Sequence, residues 1–282
     1  MHIFHTSREL REYLRDRREE PIGFVPTMGA LHVGHVSLVK LAFEHAENVG
    51  VSIFVNPTQF LPGEDYTKYP RPLENDLAQL KAVGCDWVFV PSVEEMYPIG
   101  SATRVDPGHV GTILEGTFRP GHFTGVATVV IRLFELIQPD VAVFGQKDAQ
   151  QCVVIQSVVR DLGNPVKIVI GNTLREKDGL AYSSRNQYLS PEHRMRAKGL
   201  FLSLREGLKV VASTARFPVG VQTMYKTMLQ FQPTSIDYLT FVDGTTFGKS
   251  HSLVTCRAVG AVRFGNTRLI DNLSLTDVAS EL

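Results

Sequence analysis

Short apolar runs at 22–25, 49–55, 86–90, 141–144 and 166–170 alternate with segments of helical spacing at 35–47, 73–83, 125–137 and 148–161. That alternation, sustained over more than half of the chain, constrains the fold more than any other feature. Runs apolar at almost every position suit strands buried on both faces, and a helix between successive strands makes them parallel. The expected class is α/β: a Rossmann-like, doubly wound parallel sheet with helices on both faces. In such sheets ligands bind beyond the carboxyl ends of the strands. The three most suggestive loops, after Val25, Val55 and Phe144, all fall at such ends.

The texture changes near Leu174. Residues 175–190 are polar and turn-rich, 191–211 and 219–229 read as helices, and strand-like runs follow at 236–242, 252–264 and 267–270. Ser190-Pro191-Glu192 offers an N-cap with proline at the first helical position. Two domains are expected: 1–173, Rossmann-like and ligand-binding, and 174–282, a smaller α+β domain acting as a lid. A chain of 282 residues with 43% hydrophobic content has enough core for both. Its 29 basic and 29 acidic residues leave no net charge to draw nucleic acid or an anionic membrane. No apolar run approaches the ~20 residues of a spanning helix. The charged 7–20 segment, with Leu10 and Leu14 at helical spacing, reads as a surface helix and not a secretory signal. Cys85, Cys152 and Cys256 have neither disulfide-framework nor zinc-site spacing, so a cytoplasmic protein is expected.

The candidate chemistry starts at Pro26-Thr27-Met28-Gly29-Ala30-Leu31-His32-Val33-Gly34-His35. A strand feeding a tight turn into a helix N-terminus favours phosphate, because unpaired N–H groups and the helix dipole point there. His32 and His35, three apart, can reach one ligand. Asn56 and Gln59, after the second run, carry neutral amides suited to hydroxyls and carboxylates; Asn56-Pro57 is equally a simple turn. In Gly145-Gln146-Lys147-Asp148, followed by Gln151, Lys147 suits phosphate and Asp148 suits ribose hydroxyls, although an ordinary helix start has the same pattern. Tyr182-Ser183-Ser184-Arg185-Asn186 is either an outer-phosphate clamp or a solvated turn. The loop Glu115 to Phe123, with Arg119 and His122, either orders over a ligand or connects elements at the surface. Walker, Gly-x-Gly-x-x-Gly and Gly-x-Ser-x-Gly patterns do not occur. What remains is a nucleotide site suited to attack on the α-phosphate of ATP.

Taken in order, these motifs resemble the pantothenate synthetase family of the His-x-Gly-His nucleotidylyltransferase superfamily, from about residue 3 to residue 273. Arg119-Pro120-Gly121-His122-Phe123 and Leu269-Ile270-Asp271-Asn272 add to the match. The resemblance implies an ATP-dependent ligase that joins pantoate to β-alanine through a pantoyl-adenylate and releases AMP and pyrophosphate. It implies His32, His35, Lys147 and Arg185 as catalytic residues, with a proton-donor role for His35. It places ATP against Met28, Gly29, Ala30, Leu31, His32, Val33, Gly34, His35, Gly145, Gln146, Lys147, Asp148, Leu174, Tyr182, Ser183, Ser184 and Arg185. Pantoate falls to Gln59 and Gln151, and Asp76 becomes an Mg²⁺ contact. A homodimer is the state the resemblance favours. Two departures stand out: Gln146 replaces the family's usual glutamate and Tyr182 its usual Leu or Met, so altered ATP affinity is expected. The rivals are another nucleotidylyltransferase, an aminoacyl-tRNA synthetase fragment, disfavoured by the neutral charge, and a non-catalytic nucleotide-binding regulator.

Overall fold

Six strands form one sheet in the computed structural model, which describes residues 1–281. They are β1 (His2–Phe4), β2 (Ile22–Thr27), β3 (Asn48–Ile53), β4 (Trp87–Phe89), β5 (Val141–Gly145) and β6 (Lys167–Gly171). The spatial order is β1-β4-β3-β2-β5-β6, and every pair is parallel. The helices along this stretch are α1 (Ser7–Arg15), α2 (Val33–Phe43), α3 (Leu73–Ala82), α4 (Val93–Met96), α5 (Glu115–Phe118), α6 (His122–Ile137) and α7 (Ala149–Asp161). Val25, Val49, Val51, Val88 and Val143 of the sheet pack with Val39, Ala42 and Leu80 of α2 and α3, all buried. Burying a side chain of this size contributes about 1.5–3 kcal/mol, which is why strands with two covered faces carry no polar alternation.

The strand order fixes where a ligand belongs. From β2 the chain builds outward through β3 and β4 on one side, then returns to add β5 and β6 on the other. The turn after β2 therefore leaves the sheet where the order reverses, at the switch point that binds ligands in open α/β sheets.

The chain forms two compact units, one of residues 1–146 with 154–172, the other of 147–153 with the chain from Thr173 onward. In the second, α8 (Pro191–Ala197), α9 (Gly199–Thr214) and α10 (Phe217–Leu229) accompany an antiparallel sheet of β7 (Ser235–Asp243), β8 (Cys256–Phe264) and β9 (Thr267–Ser274). Leu200, Leu204 and Leu208 of α9, Met224 and Met228 of α10, and Ala258 and Val262 of β8 share its core. Ser190 caps α8 by accepting the His193 N–H at 3.2 Å, with Pro191 at the first helical position.

The structure departs from the sequence expectation at four places. The short edge strand β1 was not anticipated, and the first helix ends at Arg15 instead of continuing to residue 20. The periodic stretch 191–211 is two helices that meet at Lys198, and the ring of Phe231 lies on Gly199, where a β-carbon would come within 2.3 Å of it. β9 runs past Ile270 to Ser274 and carries Asp271 and Asn272 into buried positions.

Candidate active site

The turn after β2 is built by backbone capping. Gly29 and Ala30 both have positive φ, 80° and 51°. Glycine takes that conformation freely, whereas alanine must be held in it. Asp76, buried on α3, holds it: its Oδ2 accepts the Ala30 N–H at 2.8 Å and its Oδ1 accepts the Leu31 N–H at 2.8 Å. Burial pushes the Asp76 carboxyl up from its ordinary value, and the two N–H donors act against that rise. Thr27 Oγ1 accepts the Gly29 N–H at 3.1 Å.

His32 is the N-cap of α2, and its Nδ1 accepts the Gly34 N–H at 3.1 Å. His35 reaches back, its Nδ1 accepting the His32 N–H at 3.3 Å. An imidazole that accepts at Nδ1 carries its proton on Nε2 when neutral, so both rings are fixed as Nε2–H donors. Their centroids lie 4.1 Å apart. The glycine between them is dictated by this arrangement, since a β-carbon on Gly34 would sit 2.9 Å from the His32 ring.

The turn was expected to offer unpaired N–H groups to phosphate. Instead the N–H groups of Gly29, Ala30, Leu31, His32 and Gly34 all have acceptors within the protein. The side-chain donors of this turn are the two imidazoles, at the positive end of the α2 dipole.

After β3 the chain enters a 3₁₀ turn, Pro57–Gln59, capped by Asn56. Asn56 is a hub of the fold: its Oδ1 accepts from Thr58 N, Thr58 Oγ1 and Tyr97 Oη, and its Nδ2 donates to Gly125 O and Gln59 Oε1. The turn reading is correct for Asn56. Gln59 differs, because its Nε2 faces the sulfur of Met28 at 3.1 Å, and a thioether is a weak acceptor. Gln59 and Met28, expected at one site, are thus side by side.

In the second unit, Lys147 and Asp148 belong to a 3₁₀ turn, Gln146–Asp148, with Lys147 Nζ 3.6 Å from Asp148 Oδ1. Asn272 Nδ2 donates to the Lys147 carbonyl at 2.9 Å, and Arg257 donates to Asn272 Oδ1. Arg175 forms a two-pronged ion pair with buried Asp271, at 2.6 and 3.0 Å. These arginines explain how two buried polar residues sit in β9. Gln151 is half-buried in the first turn of α7. Ser183 caps the 3₁₀ turn Ser184–Tyr188 by accepting the Arg185 N–H at 3.2 Å, while Leu174 O accepts the Tyr182 N–H at 3.1 Å. Arg257, Arg175 and Glu64, the last treated below, were not singled out from sequence, because isolated charged residues carry no spacing signal.

The three cysteines are buried thiols outside any disulfide, and burial pushes Cys85 and Cys152 up to about 12 and Cys256 to about 11, which leaves no thiolate nucleophile. Among the described residues no group of three or more His, Cys, Asp or Glu side chains could hold a metal. No helix among them is long and apolar enough to cross a membrane. Asp76 already accepts one N–H at each oxygen and belongs to no such group of side chains, so no protein side chain is assigned to Mg²⁺. An Mg²⁺ bound to a triphosphate needs no such cluster.

The profile described as Pantoate-beta-alanine ligase matches residues 2–274. The chain belongs to this family. A curated relative from Thermobifida fusca, named pantothenate synthetase, is 51% identical over 268 residues, covering 90% of each chain. The crystal structure of pantothenate synthetase from Thermus thermophilus superposes with a TM-score of 0.93 at 46% identity, covering 98% of this chain and 99% of that one. The pantoate-beta-alanine ligase from Francisella tularensis, crystallised with beta-gamma ATP and beta-alanine, gives 0.82 at 34% identity, covering 97% of both. This ligase has a six-stranded parallel sheet and a three-stranded antiparallel one.

Proposed function

We propose that the chain condenses pantoate with β-alanine at the expense of ATP, through a pantoyl-adenylate. The observation that carries this reading is the pair of imidazoles fixed as Nε2–H donors at the switch point of the sheet, in a member of the pantoate–β-alanine ligase family. The Francisella tularensis complex, holding beta-gamma ATP and beta-alanine, supports the choice of ligands.

The pantoate carboxylate attacks the α-phosphorus of ATP and pyrophosphate leaves. The amine of β-alanine then attacks the acyl carbon, loses a proton, and AMP leaves. Charge develops on the α-phosphate oxygens in the first step, and preorganised donors stabilise it without reorganising. His32 and His35 are assigned that role, with Nε2–H of His35 as the proton or hydrogen-bond donor to a phosphate oxygen. Lys147 and Arg185 are assigned to phosphate charge, Ser183 and Ser184 to phosphate oxygens, Gly145 and Asp148 to the ribose, and Gln146 to the nucleotide beside Lys147. Residues 28–31, 33, 34, 174 and 182 are assigned to the nucleotide, and Gln59 and Gln151 to pantoate. Mg²⁺ would arrive with ATP and lower the charge of the leaving pyrophosphate; no protein side chain is given to it. The reading also carries a cytoplasmic homodimer, for which sedimentation is the direct check of assembly.

Pyrophosphate release from ATP is the deciding assay. Continuous release is expected only with both pantoate and β-alanine present, and about one equivalent with pantoate alone. His35→Ala is expected to lower kcat by about 10²–10³-fold, the usual cost of one lost donor to a developing oxyanion. Absence of pantoate-dependent release by the unmodified protein sinks the reading.

A further inference from the structure

We infer that Arg119 and His122 are positioning residues for the Gln59 amide, and through it for pantoate; the inference rests on the assignment of Gln59 to that substrate. The sequence motif Arg119-Pro120-Gly121-His122-Phe123 had no assigned role, and its loop was read as either a ligand cover or a surface connection. The structure places it at the start of α6, beneath the Pro57–Gln59 turn.

Two donors converge on the main-chain carbonyl of Gln59: His122 Nδ1 at 2.8 Å and Arg119 Nη2 at 3.2 Å. Each lone pair of that oxygen is thereby engaged. The donors are themselves fixed. Arg119 grips Glu64 with two parallel bonds, Nε to Oε1 and Nη2 to Oε2, both 2.7 Å, and its Nη1 lies 3.1 Å from His122 Nε2. A guanidinium only donates, so His122 Nε2 accepts and the imidazole proton resides on Nδ1, where it points at Gln59. Burial, aided by the Arg119 charge, pulls His122 down to about 4, so the ring stays neutral and keeps this tautomer. The Arg119 side chain is only 11% exposed.

The other side of the turn is held by shape. Gly125, one helical turn beyond His122, lets the α6 backbone touch the turn directly; a β-carbon there would meet Thr58 O and lie 2.8 Å from Gln59 N. Gln59 is therefore fixed at its nitrogen by contact and at its oxygen by two hydrogen bonds. Its side chain is oriented from the amide end as well, since Asn56 Nδ2 donates to Oε1 at 3.0 Å. That leaves Nε2 directed at the Met28 sulfur, a weak acceptor that a carboxylate or hydroxyl oxygen readily outcompetes. Holding a polar group this firmly opposite so poor a partner makes physical sense where a ligand supplies the better one. A misplacement of about 1 Å in such a group costs on the order of 10²-fold in rate.

The test is steady-state kinetics of the full chain, with KM for pantoate, ATP and β-alanine measured separately, alongside the melting temperature. His122→Phe is expected to raise the pantoate KM by about tenfold or more while the ATP KM stays within about twofold. His122→Asn, which keeps a donor near the Nδ1 position, is expected to recover most of that loss. Combined with Gln59→Ala, His122→Phe should add little further to the pantoate KM, because both act through one amide. A folded His122→Phe protein with an unchanged pantoate KM overturns the inference, as does an equal rise in the pantoate and ATP values. Should His122→Phe fail to fold, Arg119→Lys decides: it breaks the two-pronged grip on Glu64, and a pantoate KM unmoved by it is equally fatal. Gln59→Ala alone separates the two levels. If it leaves the pantoate KM untouched, the assignment of Gln59 itself has failed.

Discussion

The turn bearing His32 and His35 and the turn bearing Gln59 both follow strands of one sheet, yet they are held in opposite ways. In the first, each imidazole is oriented by a backbone N–H two or three residues away in sequence. In the second, the main-chain carbonyl of Gln59 is held by groups about sixty residues away, on α6 and the loop before it, and its side-chain amide by Asn56, which is itself tied to α6. A device closed over a few residues is encoded by spacing alone. A device closed over sixty exists only after the sheet and its helices have packed.

Acid should separate the two regions most sharply. His122 has its ordinary value in the unfolded chain and about 4 in the folded one, so the unfolded state binds the extra proton in between. Stability contributed by His122 is intact above about pH 6.5 and is lost as pH falls toward 4, by up to ~3 kcal/mol in total. Glu64 deepens the loss below its ordinary value: burial raises it, but the Arg119 guanidinium more than offsets this and leaves it lowered. The charged neighbours of His122 are Arg119, Glu115 and Glu64. Urea unfolding at stepped pH should show the decline between 6.5 and 4, and His122→Asn should flatten it. A wild-type profile with no slope there removes the buried neutral histidine from the account.

The local device is broken by one methyl group. Gly34→Ala must push the His32 ring off its cap while leaving the sheet untouched. The expected outcome is a folded protein whose kcat/KM falls by about 10²-fold, the cost of displacing a preorganised donor by about 1 Å. Near-normal turnover would show that the His32 cap geometry is dispensable.

The smallest effect is expected at Ala30. Its φ of 51° suits glycine, so Ala30→Gly relieves strain in the folded turn and adds freedom to the unfolded chain. The two terms nearly cancel, and thermal unfolding should shift by less than about 1 kcal/mol. A larger loss would mean that the alanine methyl packs against something the turn needs.

Much of the first unit was legible because burial on both faces of a parallel strand leaves an unbroken apolar run. β1 escaped notice because three edge residues, two of them exposed, leave no such run. The break between α8 and α9 is hidden because it falls on the single residue Lys198, which keeps helical backbone angles and leaves no mark in the spacing. β9 was read too short because Asp271 and Asn272 are poor strand formers until Arg175 and Arg257 reach them. At the site, the histidine pair was legible and its N–H groups were misjudged. Asp76, 45 and 46 residues from its partners, takes two of them, and no local pattern announces it.

The sequence by itself determined the alternation of strands and helices, the helix that begins at His32, and the types of group available for chemistry at the strand ends. These follow from periodicity and capping, which act over a few residues. The tertiary structure alone decided that Asp76 braces the left-handed turn, and that Asn56 serves the fold while the Gln59 amide nitrogen is left opposite a weak partner. It also decided that His122 is neutral with its proton on Nδ1. Each of these depends on which donor meets which acceptor after packing, and a buried polar group has no preference strong enough to select its partner until water is gone.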